Sequence, residues 1–259
     1  MKIVTKILFM TFAITFSLLS GCNTVTDPAE LYKGESGDQI FRKGEYELSD
    51  HNYKEAIKRF EALDAQYPFG TNTTLAQLHI IYAYYMTSDY ASAEAAADRF
   101  IHMYPTNPHV DYAYYMRGLS NYYQNMSLFD RIFAVDLATR DLTQIKKSYD
   151  DFAAIDTNYP NSAYAASAHQ YLIYLRNIMA DHELEVGQFY YDHQAYVAAA
   201  NRANIVVRHY EGAPAVPLAL VMMVKSYRAL HLTQSEQDSL AVLKYNYPNS
   251  VYMKDAFAK

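Results

Sequence analysis

YKEAIKRFEALDAQYP, residues Tyr53–Pro68, opens with an aromatic residue, turns small at Ala56, large at Phe60 and Leu63, and stops at Tyr67-Pro68. The apolar positions fall three to four residues apart, the spacing of one helix face, and proline ends the helix by excluding the residue before it from helical backbone. The same unit recurs. Tyr-Pro stands again at Tyr104-Pro105, Tyr159-Pro160 and Tyr247-Pro248, with Tyr210-Glu211 in the equivalent setting. Fourteen residues before each of these tyrosines lie Tyr53, Tyr90, Ile145, Tyr196 and Thr233. Three residues further on come Ala56, Ala93, Ser148, Ala199 and Glu236, and ten further on Leu63, Phe100, Ile155, Val206 and Leu243, an apolar column without exception.

The preceding helices agree. Gly44 and Gly187 stand at equal distance before Pro68 and Glu211, and Glu47, Tyr84, Tyr190 and Tyr227 occupy a shared position one turn later. Glycine where two helices cross closely, a small residue facing it, a large one later and a proline at the end is the pattern of a helical-hairpin repeat. Each pair has an apolar face it cannot bury alone, so the expected fold is all-α: a tetratricopeptide-repeat superhelix of about five helix pairs. Two features break the period. The third unit, Gly118 to Pro160, holds an insertion with Asp130, Arg131, Asp136, Arg140 and Asp141. Between Pro160 and the fourth unit there is room for an extra helix at about residues 163–180. Asp141 with Gln144 reads as a capping box after the insertion, and Ser162 and Ser250 as helix starts behind their prolines.

With 8 Gly, 8 Pro and 51% apolar residues the composition favours helices around a substantial core, and a net charge of −6 argues against a basic nucleic-acid footprint. The single cysteine, Cys22, cannot form an internal disulfide. Lys2 and Lys6 precede the apolar run Ile7–Leu19, shorter than the roughly 20 residues of a membrane span, so residues 1–21 read as a removable leader. The ending Leu19-Ser20-Gly21-Cys22 resembles the bacterial lipobox, which implies diacylglycerol and an N-acyl chain on Cys22, with Asn23 permitting outer-membrane sorting. Several acyl chains together hold a protein on a bilayer at about 0.8 kcal/mol per buried CH₂. Residues 22–37 read as a flexible tether with a reach of roughly 50 Å at about 3.3 Å per residue.

No further cofactor or metal is expected. His182-Glu183 begins like a zinc-protease helix, but Val186 stands where the second histidine belongs; His79, His102 and His109 lack ligand spacing. Asp150-Asp151 and Asp136/Asp141 read as capping or solvated carboxylates. Nucleophile elbows, phosphate loops and dinucleotide fingerprints are missing, so an enzyme is not expected.

Five stretches in order are similar to one family, the BamD lipoproteins of the β-barrel assembly machinery: Ala62–Gly70; Asp98–Ile101; Asp111-Tyr112 with Tyr115–Leu119; Val135-Asp136 with Arg140-Asp141; and Tyr190-Tyr191 with Tyr196–Ala198 and Asn201-Arg202. Glu211 in place of the fourth proline departs from the pattern. The resemblance implies a non-catalytic scaffold at the periplasmic face of the outer membrane. Residues 38–160, repeats one to three, would form a pocket for carboxyl-terminal signals of unfolded outer-membrane proteins, with Tyr82, Tyr112, Tyr115, Arg117 and Tyr122 as lining. Residues 161–259 would dock on the last POTRA domain of BamA through Arg202, Tyr196 and Asn201, with BamC and BamE as further partners where present. The alternative is a periplasmic tetratricopeptide scaffold that coordinates peptidoglycan or Tol functions.

Overall fold

The computed structural model describes residues 27–124, 126 and 136–257. The expected leader 1–21, Cys22 with its expected lipidation, Asn23, and Asp130, Arg131 and Val135 of the insertion lie outside the described residues. The described residues form eleven α-helices, α1 Gly37–Ser49, α2 Tyr53–Gln66, α3 Thr73–Met86, α4 Tyr90–Met103, α5 Val110–Gln124, α6 Thr143–Asn158, α7 Ala165–Asp192, α8 Tyr196–His209, α9 Val216–Ala229, α10 Thr233–Asn246 and α11 Met253–Phe257, and no strands. The fold is all-α and of the tetratricopeptide type. The chain divides into two compact units, Met1–Ala76 and Gln77–Lys259.

The first unit is one helical hairpin. A capping box starts α1: Gln39 N–H donates to Ser36 Oγ and Ser36 N–H to Gln39 Oε1 at 2.8 Å. Gly44 then crosses α2 so closely that a Cβ would lie 2.6 Å from Phe60 Cε1. Residues 27–37 of the expected tether are described. From Pro28 the backbone lies against α2, because Gln66 Nε2 donates to the Leu31 and Pro28 carbonyls and the Arg59 guanidinium sits 4.2 Å over the Tyr32 ring.

In the second unit each helix from α4 to α10 packs on its neighbour in sequence, the contact order of a stacked repeat. Column residues Leu63, Phe100, Ile155, Val206 and Leu243 are all fully buried. The small column is buried too, except Glu236, which pairs with Arg228 at 2.7 Å. Each second helix ends alike: the N–H of Tyr67, Tyr104, Tyr159, Tyr210 or Tyr247 donates to the column residue four back, with φ between −121 and −132°. Tyr210 needs no proline for this; Gly212 at φ +75° turns the chain instead.

Two details differ from expectation. The extra helix runs without a break into the first helix of the fourth unit, giving the 28-residue α7. The capping box at α6 does not form: Leu142 is the N-cap, and Asp141 accepts from Thr143 N–H at 3.1 Å one residue earlier.

Candidate functional site

Helix α5 carries two different surfaces. On one face Tyr112, Tyr115 and Tyr122 recur at three- and seven-residue spacing and meet α6 and α7. Tyr115 stacks on Tyr164 with centroids 4.8 Å apart and shares a 2.9 Å hydrogen bond with Ser167 Oγ. Tyr122 meets Tyr171 and Tyr174 edge-on, and Phe152 stacks on Tyr171 at 4.7 Å. Tyr112 packs near Tyr164 at 5.6 Å. Burial raises the hydroxyls of Tyr112, Tyr122 and Tyr171 above the ordinary phenol range. They remain neutral, able to donate and accept. Tyr82 is half-buried and borders Tyr112. Tyr122 also opens on a cleft of about 280 Å³ with Leu137, Arg140 and Ile145. A rim of aromatic area with hydroxyl handles suits recognition of polypeptide.

Arg117 is not part of that cluster. Two residues on from Tyr115, it points across the helix to α4 and α6. Its Nε and Nη2 donate to Asp151 Oδ1 at 2.9 and 2.6 Å, and its Nη1 to Asp98 Oδ1 at 2.5 Å. Although burial works against its charge, the hydrogen bonds and charges of Asp151 and Asp98 hold the guanidinium protonated. Asp151 is 4% exposed and so not the solvated carboxylate that its neighbourhood in sequence predicts; Asp150 beside it is exposed. Burial keeps the Asp151 carboxyl above its usual range even with Arg117 pulling it down. The spacing signal existed: Glu94/Asp98, Arg117/Asn121 and Lys147/Asp151 are i,i+4 pairs on three successive helices, each presented on one face.

The residues expected to dock a partner lie around the α7–α8 crossing. Gly187 lets α8 approach until a Cβ there would stand 3.3 Å from Arg202 Cβ. Arg202 Nη1 donates to Glu183 Oε2 at 2.8 Å, and that bond, against some burial, keeps the guanidinium protonated. Arg202 is thus paired within the chain, with 37% of its side chain exposed. Tyr196 meets Tyr191 edge-on at 5.3 Å, Asn201 is exposed, and Phe189 and Val197 stand out into solvent nearby in sequence.

His182 Nδ1 lies 2.6 Å from the Ala138 carbonyl and so ties α7 to the short turn Leu137–Thr139. Among the described residues no three His, Cys, Asp or Glu side chains gather as metal ligands, and no helix is long and apolar enough to cross a membrane.

Fold and site together define a helical-repeat protein of the tetratricopeptide type. Residues 34–243 match the family described as YfiO, outer membrane lipoprotein. The chain is 31% identical over 239 residues to the outer membrane protein assembly factor BamD of Neisseria meningitidis serogroup B, covering 91% of this chain and 90% of that one. To the proteins of the same name it is 32% identical in Xylella fastidiosa, over 98% of this chain and 87% of the relative, and 31% in Vibrio cholerae, over 90% and 95%. The chain belongs to the YfiO/BamD family.

Proposed function

We propose that this chain is a scaffold subunit of the outer-membrane β-barrel assembly complex, which holds BamA and unfolded outer-membrane proteins together while the latter insert. The observation that carries the reading is similarity along nearly the full length of both chains to proteins named as outer membrane protein assembly factors. Acyl chains on Cys22 keep the scaffold at the periplasmic face of the outer membrane, and no soluble cofactor is used. Residues 38–160 receive substrate segments on the tyrosine face of α5. Residues 161–259 dock BamA around Arg202, Tyr196 and Asn201, with BamC and BamE as accessory partners.

Arg202 contributes through its exposed edge, since a guanidinium has five N–H donors and its bonds to Glu183 and Tyr190 do not use them all. A bidentate contact to a partner carboxylate is therefore still open to it. Depletion of the chain tests the reading: barrel proteins should fall broadly in the outer membrane. Normal barrel protein levels, with a defect confined to cell-wall synthesis or Tol function, would favour the alternative scaffold. Photocrosslinkers at Tyr122 and Tyr174, the latter 45% exposed, should capture nascent barrel protein; consistent failure to do so removes the tyrosine face from the substrate path.

A further inference from the structure

A single exposed apolar side chain is ordinary on a folded surface, so its surroundings decide whether it has a role. Phe69 is 100% exposed, the most open large apolar side chain among the described residues. It stands in the first unit, in the turn that follows α2. That turn is braced from both sides. Tyr67 N–H donates to the Leu63 carbonyl at 2.8 Å and its hydroxyl to the Glu35 carbonyl at 2.9 Å. The Tyr67 ring lies against Gly37, where a Cβ would stand 3.3 Å from its Cγ. The Tyr67 carbonyl in turn accepts from Gly70 N–H at 2.9 Å and from Thr73 Oγ1 at 2.6 Å. Phe69 is thus held out at the tip, with Pro68, Gly70 and Thr71 exposed around it.

Three observations say what meets this ring. The chain leaves the hairpin beside it: Gln66, three residues before Phe69, holds the Pro28 and Leu31 carbonyls at 3.3 and 2.5 Å. Cys22 precedes Asp27 by five residues, which span at most about 17 Å at about 3.3 Å each. Acyl chains on Cys22 therefore keep a bilayer surface within reach of this turn. The tip also carries no charge into lipid, since no Asp, Glu, Lys or Arg occurs between Asp64 and Asp89. Asp38, which borders the turn, accepts from Asn72 Nδ2 at 3.1 Å. Lastly, the ring is a projection without walls, whereas sites for defined ligands are concave. A deformable layer suits a projection.

We propose that Phe69 is a membrane-contact residue, whose ring enters the interfacial layer of the bilayer that holds the acyl chains. The inference rests on the proposed acylation of Cys22 and adds to it an orientation. Several acyl chains already make dissociation very slow, so one ring contributes little to retention. It fixes which end of the first hairpin faces lipid. Tyr46, 67% exposed in the last turn of α1, lies at the opposite end, about 21 Å away along the 14 residues of α2. That end stays in water.

The chain has one cysteine and no tryptophan, which gives the test two unique labels. The full mature chain, alkylated at Cys22 with a single myristoyl-length maleimide, should bind vesicles of phosphatidylethanolamine and phosphatidylglycerol reversibly, because one such chain is a marginal anchor. Vesicle sedimentation then reads affinity. Phe69→Ser should melt like the parent, its ring being fully exposed, and bind about tenfold more weakly, the low end for burial of such a side chain. Tyr46→Ser should bind like the parent. In vesicles with brominated acyl chains the fluorescence of Phe69→Trp should be quenched and that of Tyr46→Trp should not. Unchanged binding of Phe69→Ser, an equal loss in Tyr46→Ser, or absence of quenching in Phe69→Trp overturns the proposal. Unchanged vesicle binding of Phe69→Ser with lost binding of a peptide ending in an aromatic residue would assign the ring to polypeptide instead, and overturns it too. Because the anchor in this assay is attached chemically, each of these failures leaves the acylation of Cys22 standing; that reading falls separately, if Cys22→Ser stays on the membrane in cells.

Discussion

Arg117→Met keeps most of the apolar stem and removes the guanidinium. Asp151, 4% exposed, then loses its counter-charge and two of its three hydrogen bonds, and keeps Asn121 alone. Removing one partner of a buried ion pair costs about 3–5 kcal/mol. Asp98 is half exposed and its share is screened by water, so the lower end applies, about 3 kcal/mol. In a unit of this size each kcal/mol moves the melting temperature by about 2–4 °C, so the variant should melt roughly 6–12 °C lower near neutral pH. The loss should also depend on pH with a definite sign. Burial already holds the Asp151 carboxyl above its usual range, and without Arg117 it rises further. The folded variant then binds a proton more tightly than the unfolded chain, so its stability falls as pH rises through that window and returns on acidification. Thermal melts followed by circular dichroism at about pH 7.5 and about pH 5 read both effects, since the window lies above the unfolded carboxylate value of about 4. Adding Asp151→Asn should remove the pH dependence. A deficit under about 1 kcal/mol, or one equal at both pH values, would refute the buried-pair reasoning.

Three further outcomes follow from the geometry. Gly118→Ala gains about 1 kcal/mol of helix propensity, but its Cβ would sit 2.9 Å from Phe152 Cε1, and Phe152 is pinned by Tyr171. Overpacking of about 1–3 kcal/mol prevails, so calorimetry should find a destabilised chain; a stabilised one would deny the close crossing. Arg202→Glu sets a second carboxylate against Glu183 and should weaken co-purification with BamA; a melting curve separates this from unfolding, and full recovery at physiological salt removes Arg202 from the interface. Cys22→Ser should release the chain from the membrane fraction, whereas undiminished membrane association would mean that acylation is not the anchor.

The core of the fold was legible because it repeats. Leu63, Phe100, Ile155, Val206 and Leu243 align by counting alone, and all five are buried. The unbroken α7 was not: counting repeats separates an extra helix from the fourth unit, although residues 165–192 hold no proline to divide them. Nor were the hairpin turns. They place His51, Ser88, Gln194 and His231 at φ between 58 and 61°, left-handed backbone that sequence reading assigns to Gly or Asn. The ordered start of the first unit was hidden because Gln66 and Arg59, far along the chain, hold Leu31 and Tyr32.

The site divides in the same way. Tyrosine spacing on α5 shows a shared face, yet only packing reveals that Tyr115 is stacked on Tyr164 while Tyr174 stays open. Asp150-Asp151 looks symmetrical in sequence; one end of the pair is buried under Arg117 and the other faces water. Likewise nothing near Arg202 in sequence announces Glu183, which meets it from the neighbouring helix.

The measurement that tests the account most directly is affinity purification of the tagged chain from detergent-solubilised membranes, read by mass spectrometry. The account predicts recovery of BamA in near-equal amount, together with unfolded outer-membrane proteins when their insertion is stalled. Recovery of cell-wall synthesis or Tol proteins in place of BamA would contradict it.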